Sequence, residues 1–73
     1  MIKYKRKKSE DLVEARQIAE NGEALTLKDD HKTIKIFAQK GEWLITESDG
    51  RQYILSDTAF KLQFEPNRQL LLD

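Results

Sequence analysis

From Gly22 onward, apolar residues recur at every second position, and turn-forming residues interrupt the alternation at roughly ten-residue intervals. That pattern constrains this chain more than any other. A period of two places alternate side chains on opposite faces of an extended backbone, and short extended segments must pair to satisfy their amides. Residues 23–28 read as a strand with Leu25 and Leu27 on one face. Asp29-Asp30-His31 is a turn, and residues 33–38 form the next strand, with Ile34, Ile36 and Ala38 inward and Phe37 on the other face. After Lys40-Gly41 come strands at 43–46 and 52–55, joined by Asp49-Gly50, a pair suited to a type I′ turn. Ser56 or Asp57 caps a helical turn at 57–60. Residues 61–65 alternate again with Leu62 and Phe64 inward, Pro66-Asn67 turns, and 69–72 reads as a last edge strand.

Ahead of this region the pattern is less regular. Residues 9–20 fit two structures. As a helix, Ser9 is the N-cap, Glu10 and Asp11 favour the positive end of the helix dipole, and Leu12, Ala15 and Ile18 or Ala19 share a face. As a strand, Val13 and Ala15 point one way and Leu12, Glu14 and Arg16 the other. Local propensity favours the helix. The fold expected is a single small domain over 1–73, mainly β with α+β as the variant. It is a small antiparallel sheet or partly open barrel of five or six short strands with at most one short helix. Its expected core is Leu25, Leu27, Ile34, Ile36, Trp43, Ile45, Tyr53, Leu55, Phe60, Leu62 and Phe64. Trp43 is expected to anchor that core beside Phe37, Tyr53, Phe60 and Phe64, with an exposed stacking role as the alternative reading.

Charge divides the chain. The 13 basic and 13 acidic residues cancel, but residues 1–8 hold five cations and no acid. This stretch is expected to be a basic N-terminal arm or edge strand, where lysines discourage sheet-to-sheet aggregation. Lys3, Tyr4, Lys5, Arg6, Lys7 and Lys8 are the candidate nucleic-acid contacts, the cations for phosphates and Tyr4 for stacking on a base.

Catalytic chemistry has little to build on. There is no Cys and one His, so thiolate metal sites and Cys nucleophiles are excluded. A metal site from Asp29, Asp30 and His31 would need adjacent residues on one turn to converge, which they rarely do. Glu47, Asp49 and Asp57 could gather at one end of the sheet, but nothing in their spacing holds two carboxylates in different environments. No catalytic residue, cofactor or metal is expected, and the protein is expected not to be an enzyme. No apolar run approaches the length of a membrane span, and no apolar segment follows the basic start as a secretory signal would require. A cytoplasmic location is expected.

The order of residues resembles a type of short phage and prophage protein. The resemblance is carried by Tyr4-Lys5-Arg6-Lys7-Lys8, Val13-Glu14-Ala15-Arg16-Gln17, Gly41-Glu42-Trp43-Leu44-Ile45, Gly50-Arg51-Gln52-Tyr53, and Phe60 with Phe64-Glu65-Pro66. It departs from the usual pattern at Ser9-Glu10-Asp11, Glu42 and Arg51, and the segment after Gln17 is shorter than usual. It implies that 13–18 is a strand, and it implies no catalytic residues. The function expected is that of a non-catalytic phage or prophage accessory protein acting through protein–protein interaction, its partner a host or phage protein. The alternatives are a nucleic-acid-binding module using the basic arm, and a small homo-oligomeric structural component in which Leu70-Leu71-Leu72 adds a strand across an interface.

Overall fold

The computed structural model describes residues 3–66. Seven strands and one helix follow in chain order: β1 (Lys3–Arg6), β2 (Leu12–Gln17), β3 (Glu23–Asp29), β4 (Lys32–Ala38), β5 (Trp43–Thr46), β6 (Gln52–Leu55), α1 (Asp57–Gln63) and β7 (Phe64–Pro66). The fold is mainly β, as the alternation requires. Five strands form an antiparallel sheet in the order β6-β5-β2-β1-β7, and β3 and β4 form a separate hairpin. The strand expected at 69–72 and its Leu70-Leu71-Leu72 tail lie outside the described residues, as does Asn67.

The ambiguous segment is a strand. β2 sits at the centre of the sheet, pairing β1 on one side and β5 on the other. That position buries Val13 and Ala15 on one face and leaves Leu12 and Ala19, which the helical reading would bury, exposed. Packing on both sides outweighs a difference in helix propensity that is under about 1 kcal/mol per residue. Ser9 does not cap a helix. Its Oγ accepts the Asp11 N–H at 3.0 Å, and its N–H donates to the Arg6 carbonyl, forming the turn between β1 and β2.

Register places Tyr4, Arg6, Val13, Ala15, Trp43, Ile45, Tyr53, Leu55 and Phe64 on one sheet face. Helix α1 joins β6 to β7, the two edge strands of this sheet, and packs its Phe60 against that face. The buried cluster is Val13, Ala15, Ile45, Phe60 and Phe64, flanked by Tyr4, Trp43, Tyr53 and Leu55. Trp43 stacks on Phe60 with centroids 4.0 Å apart and planes 9° from parallel, so the anchoring role expected for it is the one it has. Phe37 is not beside it, being 72% exposed.

Four further expectations need correction. Residues 61–63 are helix, not strand, so Leu62 lies two positions from both Phe60 and Phe64 on the far side of α1 and is 71% exposed. Ile34 is 45% exposed although its partner Leu27 is buried, because β3, not β4, is the hairpin strand that packs on β6 of the main sheet. Asp49-Gly50 does not form a type I′ turn, since Asp49 lacks the positive φ this requires. Gly50 alone takes it, at φ +94°, closing a longer loop through Gly50 N–H to Glu47 C=O and Glu47 N–H to Arg51 C=O. Finally, Lys3–Arg6 is neither an arm nor an edge. It is an interior strand with β2 and β7 hydrogen-bonded on its two sides.

Candidate functional site

Three of the five cations of the basic start are ion-paired with acids from elsewhere in the fold. Lys3 pairs with Glu14 at 3.1 Å, Lys5 with Glu65 at 2.7 Å and Arg6 with Glu47 at 2.5 Å. Tyr4 makes edge contacts with the rings of Trp43 and Phe60, at 5.6 and 5.0 Å between centroids, and so is not free to stack on a base. Lys7 and Lys8 remain exposed, with no ion pair to another described residue. They line a groove of about 300 Å³ with Arg6, Leu62 and Gln63. Of the six residues proposed for nucleic acid, two remain accessible for phosphate in this way.

The three carboxylates do not gather. Asp57 and Glu47 lie at opposite ends of β5. Asp57 accepts the Trp43 indole N–H at 2.9 Å and pairs with Lys61, and these two bonds hold its carboxyl below the usual range. Asp49 binds the amide and guanidinium of Arg51. Glu47 is the most enclosed. Arg6 grips both its oxygens, at 3.2 and 2.5 Å, and the Tyr53 hydroxyl donates to it at 2.5 Å. The Arg6 guanidinium also lies 5.3 Å from the Phe64 ring centroid. Hydrogen bonding to Arg6 lowers the Glu47 pKa. Burial first, and then the bond to Glu47, pushes the Tyr53 phenol up to about 12.

The arrangement is a structural clamp between β1, the end of β5 and β6. In an alkaline titration followed by tyrosinate absorbance, the component lost in Tyr53→Phe is expected near pH 12, and Glu47→Gln should lower it only in part, because burial, the larger cause, remains. A Tyr53 component already at 10 in the unmodified chain would show the clamp to be open in solution.

His31 and Asp30 stand exposed at the tip of the β3–β4 hairpin, 3.9 Å apart. Among the described residues no group of three His, Asp or Glu side chains is placed to hold a metal ion. No helix among them is long and apolar enough to cross a membrane.

The surface that departs most from an ordinary solvated face is the outer face of this hairpin. Register puts Ala24 opposite Phe37, Thr26 opposite Lys35 and Lys28 opposite Thr33 there. This face carries an aromatic ring and two lysines and no acid, while Glu23 and Asp29 belong to the other face. Phe37, at 72%, is the most exposed large apolar residue described. The alternation had already separated Phe37 from Ile34, Ile36 and Ala38. The missed signal was that Phe37 shares its face with Lys35, Thr33, Lys28 and Thr26. Comparison of the chain with protein-family models, with curated proteins and with solved structures returned no match.

Proposed function

We propose that this chain is a non-catalytic accessory protein that acts by binding another protein, and that the β3–β4 hairpin is the element it binds with. The observation that carries this reading is Phe37, held 72% exposed on an acid-free strand face while every other aromatic residue described is packed or half-buried. A domain of this size has little apolar area to spare, and leaving a phenylalanine in water forgoes about 2 kcal/mol. Aromatic residues, phenylalanine among them, are enriched at protein interfaces relative to the rest of the surface. The resemblance to short phage and prophage proteins supports a host or phage protein as the partner. Nucleic-acid binding through the N-terminal segment is the weaker reading, because β1 is committed to the sheet and its first cations to Glu14, Glu65 and Glu47.

Affinity capture with two matched variants tests the proposal. Phe37→Ser and Leu62→Ser each remove one side chain of nearly equal exposure. Both should keep the stability of the unmodified chain within about 0.5 kcal/mol. Phe37→Ser is expected to lose the specifically captured protein and Leu62→Ser to retain it. The reverse result moves the binding surface to α1 and sinks the hairpin assignment.

A further inference from the structure

The hairpin has one edge that its own fold leaves open. Its two-residue loop, Asp30-His31, makes Asp29 and Lys32 the closing pair. In a two-residue hairpin that pair exchanges hydrogen bonds, and bonded and non-bonded pairs then alternate along an antiparallel ladder. The bonded pairs are therefore 29/32, 27/34, 25/36 and 23/38. Thr33, Lys35 and Phe37 direct their N–H and C=O groups away from β3. The same phase directs the Lys28 amide outward from β3, and that amide donates to Gln52 Oε1 on β6 at 3.2 Å. The outer edge of β3 thus faces the main sheet, whereas among the described residues no further strand pairs with β4's outer edge.

We propose that β4 accepts an added strand: an extended, acidic segment of the partner protein that pairs with the backbone of Thr33, Lys35 and Phe37. The inference rests on the hairpin reading above and names the chemistry of the partner. Charge selects the occupant. Between Lys32 and Ala38 there are two lysines and no acid, and neither lysine is in an ion pair with another described residue. An Asp or Glu opposite Lys35 and an apolar side chain two positions away, beside Phe37, complement the outer face. Apolar residues on the alternate positions would meet Ile34 and Ile36, which are exposed and half-buried respectively. A second copy of β4 is the poorer fit, because it brings the lysines of both copies to one seam. Nucleic acid is poorer too. Phosphates cannot satisfy a ladder of both donors and acceptors, and Asp29 and Asp30 stand at the hairpin tip.

Selection of a randomised dodecapeptide library on the immobilised full chain tests this. Enriched peptides are expected to alternate apolar and acidic residues, and the best of them, made synthetically, should slow amide exchange at Thr33, Lys35 and Phe37. Lys35→Pro removes an outward N–H and no ladder bond, so the hairpin should survive while affinity falls about tenfold or more. Lys35→Glu leaves the backbone intact should the proline variant unfold, and it should turn the selection toward basic peptides. Enrichment without an acidic bias, or unchanged binding to Lys35→Pro, overturns strand addition. So does protection of the same amides by oligothymidylate, or by concentration-dependent dimerisation in light scattering. If Lys35→Pro binds normally while Phe37→Ser loses the captured partner, strand addition fails and the hairpin reading stands. If Phe37→Ser is harmless, both fail.

Discussion

Phe60→Ala is expected to cost about 3–5 kcal/mol, the largest effect of any single substitution considered for this chain. Total stability for 73 residues should be roughly 4–11 kcal/mol, so the loss is a large fraction of it. The physical reason lies in what Phe60 joins. It is 3% exposed, stacked on Trp43, in edge contact with Tyr4, and 5.3 Å between centroids from Phe64. Helix α1 has seven residues, too few to persist alone. Ser56 accepts the Ala59 N–H at one end, and the Phe64 N–H bonds back to the Phe60 carbonyl at the other. The Phe60 ring is the part of the helix buried in the sheet face. Its loss frees α1 and, through Phe64, weakens β7 against β1. Urea unfolding followed by Trp43 fluorescence reads this directly, since the stacked ring is the reporter's neighbour. Leu62→Ala, two residues along the same helix but 71% exposed, should change stability by no more than about 0.5 kcal/mol. Equal losses at the two positions would mean that α1 does not dock as described.

The parts of the fold that were readable in the sequence are those where a local pattern and the tertiary environment agree. Strands β3 to β6 fall within about a residue of the alternation, because each has one face toward the interior and a turn signal at each end. Where pattern and environment conflict, the sequence misleads. Glu14, Ala15, Arg16 and Gln17 are good helix formers, yet two neighbouring strands hold them extended. Phe60 and Phe64 fit a period of two and a helical spacing of four equally well, which let Leu62 be read as inward. The N-terminal segment misled most. Lys3, Lys5 and Arg6 look like a solvated arm because the acids that neutralise them, Glu14, Glu65 and Glu47, come from three distant places in the chain. No window along the sequence contains that information. The candidate interaction surface was half readable: the side of the strand on which Phe37 lies follows from alternation. The direction of the open edge follows only from the hairpin register and from Gln52 reaching Lys28.

The Arg6–Glu47–Tyr53 clamp supplies the second large effect. Glu47→Gln keeps the side chain's shape but removes the charge that two guanidinium nitrogens and a phenol share. Hydrogen bonds to charged groups are worth about 1.5–3 kcal/mol, and Arg6, whose side chain is 36% exposed, recovers part of that from water. A loss of about 2 kcal/mol at neutral pH is expected. For a domain this small that amounts to roughly 8–16 °C in thermal midpoint. The pH dependence has a definite sign. Bonding to Arg6 depresses the Glu47 pKa in the folded state below its unfolded value of about 4.3. Its contribution is therefore complete above that unfolded value and disappears as pH falls through the lower, folded one. The unmodified chain should hold its stability from neutral pH down to about 5 and lose it below. Glu47→Gln should be weaker at neutral pH and lose less on acidification, while the dependence due to Glu23, Asp49 and Asp57, whose pKa values are also lowered, remains. Tyr53→Phe in the same background completes a double-mutant cycle. Because both groups meet at one carboxylate oxygen, a coupling of about 1 kcal/mol is expected. Strict additivity would instead show the phenol and the carboxylate to be independent, and β6 would then be tied to β1 by Arg6 alone.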